Sequence, residues 1–192
     1  MPSDKISSPI LGNIAELCIV SSDVYATIDG FTKIGVGPFQ VFDFTSSTVT
    51  GQELYGKQGA DLFRIKVAFA KQKSLAIEIM QPTGGNSPMQ VYLDQNGGRQ
   101  GVQHVAWDMG DSPMEERQRI MKEKGFEPVM QGRWLGKKGT CHFCFFDTLE
   151  KGIGTMFETI EFSGDWEDPE HEWYPHAPEE GIEERASSKN DS

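Results

Sequence analysis

The chain has 192 residues, of which 29 are acidic and 18 basic, so its formal net charge is −11. That length suits one domain or two small fused halves, and a hydrophobic content of 37% is enough for a packed core. The charge argues against the basic footprint that nucleic acids and anionic membrane surfaces attract, and no apolar run approaches the roughly 20 residues of a membrane helix.

The first half of the chain alternates between strand and helix patterns. Short apolar segments, most clearly FRIKVAFA with its period of two, predict strands over residues 16–20, 38–44, 63–70 and 75–80. A helix over residues 25–34 is predicted between a cap at Ser22 or Asp23 and a stop at Gly35. Residues 51–61 are predicted to form a flexible loop.

The second half repeats this order. Strands are predicted over residues 102–108, 141–147 and 154–162, and a helix runs from a cap at Ser112 to a stop at Gly125. We interpret each half as a strand, a helix and three further strands, although the second half shows two distinct strand segments after its helix. Because the halves also match in position, we interpret them as an internal repeat.

Four ionisable residues interrupt apolar strands at repeat-related positions. Glu16 corresponds to His104, and Glu78 corresponds to Glu158. A buried carboxylate requires a partner or a metal ion, and one imidazole with up to three carboxylates is a suitable ligand set for a divalent ion. The alternative is that each of the four faces solvent from the outer side of a sheet.

Several motifs resemble those of the vicinal oxygen chelate superfamily, which includes glyoxalase I, extradiol dioxygenases and methylmalonyl-CoA epimerase. They are IEIMQP with GGNSP, GVQHVAWDM, and KGF followed by DT and KG-x-G-x-x-x-E, within about residues 12–162. The epimerase-like branch is the most similar. The resemblance implies an α+β fold in which two βαβββ modules close around a shared cavity.

The resemblance and the composition together divide the chain into four parts. Residues 1–11 form an N-terminal arm, residues 12–95 the first module and residues 96–162 the second. Residues 163–192 are an acidic extension with ten acids and two bases, and residues 179–192 are expected to be disordered.

The resemblance also implies metal ligands. Glu78, His104 and Glu158 match three ligand positions, whereas Glu16 stands where the epimerases have histidine. This harder ligand set favours Mn²⁺ or Mg²⁺, although Zn²⁺, Ni²⁺, Co²⁺ and Fe²⁺ stay open and the identity of the ion is unknown. Two alternatives stay open: Glu16 serves as a base and not as a ligand, or the protein has lost the metal ion.

Substrate contacts are predicted at four further residues. Arg64 stands where the epimerases keep an additional carboxylate base, and it shares one strand face with Lys66. If that face lines the pocket, the two attract an anionic substrate or stabilise an enolate; otherwise they are solvated charges. His142 is a candidate for an inward-facing side chain, and Trp107 is expected in the pocket wall or core.

The reaction that we infer is the movement of a proton next to a carbonyl, through a metal-stabilised enolate. Glu158 and Glu16 are the expected catalytic residues, and the substrate is a small carbonyl compound or thioester. The class is then an isomerase, an epimerase or a lyase. The alternatives are a metal-free small-molecule-binding protein, a tailoring cyclase and an Fe(II) dioxygenase, which would need a second histidine ligand.

The number of cysteines and the polar N-terminus indicate the cellular compartment of the protein. Three cysteines make a disulfide framework improbable, and MPSDKISSP lacks the apolar core of a signal peptide, so a cytoplasmic protein is expected. Cys141 and Cys144 lie three apart on a strand, where side chains point to opposite faces, so they are not expected to share a metal. A homodimer is possible by the resemblance.

Overall fold

The fold is known from a computed structural model that describes residues 10–178; the end of the chain predicted to be disordered, residues 179–192, and most of the predicted N-terminal arm lie outside the described residues. In the described range no helix has the length and apolar character needed to span a membrane. The elements are β1 (Ile14–Val20), α1 (Val24–Thr32), β2 (Phe39–Phe44), β3 (Val49–Leu54), β4 (Lys57–Gln58), β5 (Phe63–Lys71), β6 (Ala76–Gly85), α2 (Pro88–Gln95), β7 (Gly101–Trp107), α3 (Met114–Glu123), β8 (Pro128–Leu135), β9 (Thr140–Phe146), β10 (Met156–Phe162) and β11 (Glu172–Tyr174), with a helical turn at Leu149–Ile153.

The strands join in one mixed sheet with the order β11-β2-β5-β6-β1-β7-β10-β9-β8-β3-β4. At its centre β1 pairs antiparallel with β7, while β1 is parallel to β6 and β7 is parallel to β10. The order β1-β6-β5-β2 in one direction is thus matched by β7-β10-β9-β8 in the other. The α+β class is confirmed, and the two halves of the chain build their strands in the same way.

Aromatic contacts show that this sheet is curled. Trp134 of β8 lies 4.8 Å from Phe42 of β2 and 6.2 Å from Phe69 of β5, measured between ring centroids. Strands β2 and β8 stand near opposite ends of the strand order, so the sheet must bend until its two ends meet. The main apolar core fills the concave side, with Val67 and Met80 from the first half and Phe143 and Phe145 from the second.

Helices α1 and α3 cover the convex side, whereas α2 contributes Met89 and Leu93 to the main core. Helix α1 begins after Asp23, whose carboxylate accepts a hydrogen bond from the Ala26 N–H at 3.1 Å, and it buries Val24 and Ile28 against the outer face of β5 and β6. Helix α3 begins after Pro113 without a side-chain cap of its own. The Met114 N–H instead donates to the carboxylate of Glu161 on β10, so the expected cap at Ser112 is wrong.

The predicted loop over residues 51–61 is also wrong. Strands β3 and β4 form a hairpin there, and β3 pairs antiparallel with β8. The buried amide of Gln52 holds the hairpin to the start of β5 by accepting from the Leu62 N–H at 2.7 Å. The polar, glycine-containing sequence hid this strand because its partner lies some 80 residues further along the chain.

The first part of the acidic extension is well ordered against the sheet. We call residues 163–174 the C-terminal strap. Its strand β11 pairs with the edge strand β2, and Trp166 packs against Trp134 and Phe162 with ring centroids 5.0 and 5.3 Å apart. The strap therefore covers the place where the two ends of the sheet meet.

Candidate metal and active site

Strand register brings the four predicted ionisable residues together on the concave face. In one row across the sheet, Cys18 of β1 stands between Glu78 of β6 and His104 of β7. In the next row, two residues along, Ala106 of β7 stands between Glu16 of β1 and Glu158 of β10. Each row thus places a small side chain between two ionisable ones, which leaves space above the centre of the sheet.

His104 is the centre of this group. Its ring is fully buried, and its Nε2 lies 3.0 Å from Glu78 Oε2 and 3.3 Å from Glu158 Oε2. Its Nδ1 lies 2.5 Å from the side-chain oxygen of Gln103, which fixes the orientation of the ring. Glu16 completes the group, because it offers a carboxylate oxygen within 4.8 Å of oxygens from Glu78 and Glu158.

The charges of the group oppose one another. Burial, together with the charge of Glu78, raises the pKa of Glu158 to about 7, although His104 partly offsets this effect. Burial and the two neighbouring carboxylates raise the pKa of Glu16 well above its usual value. Burial disfavours the charged form of His104, but Glu158 and Glu78 outweigh it and raise the pKa of the imidazole to about 9.

One oxygen of this group has no donor. Glu158 Oε2 is buried and has no hydrogen-bond partner among the described residues. The Nε2 proton of His104 can point along one direction only, and Glu78 accepts it. A buried acceptor without a donor is costly, and a cation bound among these oxygens and the imidazole would satisfy it. The residues present therefore fit a divalent ion.

Cys18 is a further member of the group, which the sequence had not led us to expect. Its sulfur lies within 4.8 Å of ligand atoms of Glu78 and His104. Burial, followed by interaction with Glu78, raises the pKa of this thiol well above its usual range. The signal was present in the sequence, because Cys18 follows Glu16 by two residues and therefore shares its face of the strand. Cys141 and Cys144 lie in separate apolar clusters, as expected.

The four predicted substrate contacts do not join this group. Arg64 and Lys66 alternate with the core residues of β5 and lie on the convex side, where they pair with Asp61 at 3.6 Å and Asp43 at 2.7 Å. Alternation established that the two share a face, and only the packing shows which face it is.

His142 and Trp107 also lie elsewhere. His142 contributes to a polar groove on the convex side beside the β3–β4 hairpin, where burial lowers the pKa of the imidazole. Trp107 packs against Phe157 at 5.6 Å, and Phe157 in turn packs against the apolar cluster that includes Met114 of α3. Its buried indole N–H has no hydrogen-bond partner among the described residues.

The ionisable group lies at the bottom of a narrow cavity. A chamber of about 30 Å³ is lined by Glu16, Glu78 and Glu158 together with aromatic side chains. It adjoins a second cavity of about 110 Å³, which we call the vestibule, and Glu16 lines both. Asp168 of the C-terminal strap also lines the vestibule. A ligand would therefore approach the carboxylates through the vestibule, beneath the strap.

Comparison with known proteins agrees with this geometry. Residues 16–145 match the family model of the glyoxalase/bleomycin resistance protein/dioxygenase superfamily. Methylmalonyl-CoA epimerase from Mycobacterium tuberculosis is 16% identical, with 83% of this chain and 94% of that chain covered and a TM-score of 0.55. A methylmalonyl-CoA epimerase in complex with methylmalonyl-CoA and NH4+ is 20% identical, with coverages of 83% and 99% and a TM-score of 0.51. No curated protein sequence matches the chain.

Proposed function

The chain belongs to the glyoxalase/bleomycin resistance protein/dioxygenase superfamily, and on that premise we propose that it is an isomerase or epimerase that moves a proton next to a carbonyl group. One observation carries this proposal. Three carboxylates and one imidazole converge at one place on the concave face, and one carboxylate oxygen, Glu158 Oε2, is left buried without a donor among the described residues. Such a group can hold a cation and exchange a proton at the same place.

The residues that would hold a divalent ion are Glu78, His104 and Glu158, with Glu16 as a fourth. When bound, the ion would supply Lewis-acid stabilisation of the negative charge that develops on a carbonyl oxygen. Gln103 fixes the ring of His104 through Nδ1, so that Nε2 faces the carboxylates. The identity of the ion stays open between Mn²⁺, Mg²⁺, Zn²⁺, Ni²⁺, Co²⁺ and Fe²⁺.

Glu158 is the first candidate for the base. Its pKa of about 7 suits both the uptake and the return of a proton near neutral pH. Glu16 is the second candidate, because it lies across Ala106 from Glu158 and borders the vestibule. If both carboxylates exchange protons with the same carbon, the product is an epimer. If only one of them does, the product is an isomer, or the outcome of an elimination.

The substrate follows from the same reasoning. A proton next to a carbonyl is acidic enough for a carboxylate to remove only when the resulting negative charge is stabilised, so we propose a small ketone or thioester. The similar epimerase in complex with methylmalonyl-CoA makes a thioester a reasonable compound to test.

The homodimer and the cytoplasmic location stay predictions.

Solvent exchange tests the proposed reaction without a coupled assay. The protein in D₂O is incubated with methylmalonyl-CoA and with simple ketones, and deuterium uptake at the carbon next to the carbonyl is followed by NMR. We expect Glu158→Gln to slow exchange by about 10² to 10⁴-fold, as is typical when a general base is removed. The same substitution at the exposed Glu123 of α3 should leave exchange unchanged. Full activity of Glu158→Gln would show that the assignment of the base is wrong.

A metal-free binding protein is the second candidate, and one observation favours it. With a pKa of about 9, His104 is protonated at neutral pH and itself supplies a cation to Glu78 and Glu158. Metal analysis of the purified protein separates the two functions. About one equivalent of a divalent ion supports the enzyme, whereas a metal-free protein that binds small molecules and exchanges no proton supports the alternative.

A further inference from the structure

The walls of the vestibule are aromatic and come from both halves of the sheet. Phe42 and Phe69 belong to the first half, and Trp134 and Phe162 belong to the second. Phe42 stands edge-on to Trp134 at 4.8 Å, and Phe69 is nearly parallel to Trp134 at 6.2 Å. Aromatic rings prefer these offset and edge-to-face arrangements, so the walls offer both faces and edges to a further ring.

The size of the cavity limits what can enter. The vestibule measures about 110 Å³ and the adjoining chamber about 30 Å³. An apolar cavity of about 150 Å³ in another protein holds one benzene molecule. The space between the strap and the carboxylates therefore accommodates one six-membered ring and a short carbonyl chain.

The charges around the opening disfavour phosphate groups. Lys66 pairs with Asp43 at 2.7 Å, on the outer side of the same rim. Lys137 pairs with Glu170 of the strap at 2.8 Å, and Lys138 pairs with Glu167. Each of these lysines thus already has a carboxylate partner, and two of the partners belong to the strap.

The vestibule has little positive charge of its own. Lys71 is the only basic residue among the described residues that line it, and it is accompanied by Asp168 and Glu16. A polyphosphate such as the nucleotide part of coenzyme A requires several unpaired basic groups or a helix N-terminus aimed at it. The described residues that line the vestibule offer neither, because Lys71 is their one basic group and all of them except Asp168 belong to strands.

The strap fixes the roof of this space. Asp168 accepts a hydrogen bond from the Trp166 indole N–H at 2.9 Å, and Trp166 packs on Trp134. Gln40 of β2 donates to Asp168 at 3.4 Å. The strap is therefore tied to both ends of the curled sheet, and it borders the vestibule through Asp168.

From these observations we propose that the site takes a compact, phosphate-free carbonyl compound that carries one aromatic ring. The ring lies in the vestibule against Phe69 and Trp134, and the carbonyl carbon reaches the chamber beside Glu16 and Glu158. The proposal rests on the proposed function, because that function places the reacting carbon at the carboxylates. It goes further in excluding the coenzyme A part of a thioester from recognition.

Calorimetric titration of the purified protein tests this substrate class with four probes. They are phenylacetone, cyclohexylacetone of similar shape, propionyl-CoA, and the propionyl thioester of N-acetylcysteamine, which lacks the phosphates. We expect phenylacetone to bind at least about fivefold more tightly than cyclohexylacetone, because only the aromatic ring gains contacts with the aromatic walls. Propionyl-CoA should bind no more tightly than its truncated thioester.

A matched pair of variants locates the binding. Phe69→Leu should weaken phenylacetone binding by about fivefold to tenfold. Phe31→Leu makes the same change in α1 on the convex side, where Phe31 packs against a separate apolar cluster, and should have no effect. Binding of propionyl-CoA that is tenfold tighter than that of the truncated thioester would overturn the proposal. Absence of phenylacetone binding, or an equal effect of the two variants, would also overturn it.

The result separates this proposal from the proposed function. If propionyl-CoA binds tightly and exchanges its proton in D₂O, the reaction stands and the substrate class is wrong. If phenylacetone binds in the vestibule but neither it nor any thioester exchanges a proton, the substrate class stands and the reaction is wrong.

Discussion

The buried ionisable group should make the stability of the metal-free protein fall as pH rises. In the folded protein the pKa of Glu158 is about 7, against an ordinary value of 4.5, and the pKa of His104 is about 9, against 6.5. Folding raises the pKa of both groups. Between its unfolded and its folded pKa, each group therefore holds more protons in the folded state than in the unfolded state. Stability is then fully present below the unfolded pKa and is lost as pH rises through the folded pKa.

The magnitude follows from the two shifts. One pKa unit corresponds to about 1.4 kcal/mol, so each group contributes about 3 kcal/mol to the pH dependence of the free energy of unfolding. The part due to Glu158 is lost between pH 4.5 and about 7, and the part due to His104 is lost between pH 6.5 and about 9. The two shifts share one contact and do not simply add. We therefore expect a total loss of at least about 3 kcal/mol.

Urea unfolding followed by tryptophan fluorescence measures this loss. The titration is repeated at several pH values between 5 and 9 with a chelator present, so that no divalent ion contributes. Glu158→Gln should flatten the profile below pH 7, and His104→Gln should flatten it above pH 7. Glu116→Gln is the control, because this carboxylate is exposed on α3 and pairs only with Arg119. A free energy of unfolding that is constant or rises from pH 5 to pH 9 would refute the reasoning.

Three further predictions concern the metal, a buried arginine and a close contact. The apparent affinity for Mn²⁺ or Zn²⁺, measured by equilibrium dialysis, should rise by at least about 100-fold from pH 6 to pH 8, because binding displaces the proton of His104 and also that of Glu158; a constant affinity would place the ion elsewhere. Arg117→Met should lower the free energy of unfolding in urea by about 2–3 kcal/mol, because the buried Arg117 donates hydrogen bonds to three carbonyl oxygens and to Thr159. A loss below about 0.5 kcal/mol would contradict this. Gly132→Ala should lower the free energy of unfolding by about 1–3 kcal/mol, since a Cβ at this position would lie 2.6 Å from the Val49 side chain. An unchanged melting temperature would show that the β3–β4 hairpin moves to accommodate the methyl group.

The sequence by itself predicted most of the strands and the four residues of the ionisable group. The reason is that a period of two is a local pattern, and a charged residue inside an apolar strand stands out against it. The repeat added that Glu16 and His104, and likewise Glu78 and Glu158, occupy related positions. Family membership, predicted from the motifs around His104 and Glu158, is confirmed by the match over residues 16–145.

Local pattern failed where the partner of a segment is distant. Strand β3 was predicted as a loop because its stability depends on pairing with β8, far along the chain. Helix α2 was not predicted, because the glycines before it indicate a turn, although Ser87 caps it and Pro88 opens it. In both cases the local residues permit more than one structure, and long-range contacts select between them.

What only the tertiary structure decided is the direction in which side chains face. Alternation showed that Arg64 and Lys66 share a face, and also that Glu16 and Cys18 do, but it has no means of distinguishing concave from convex. That distinction arises when the sheet curls and its ends meet at Trp134, which buries one face around the ionisable group and leaves the other to the helices. Strand periodicity is a property of neighbouring residues, whereas the choice of the buried face is a property of the whole sheet.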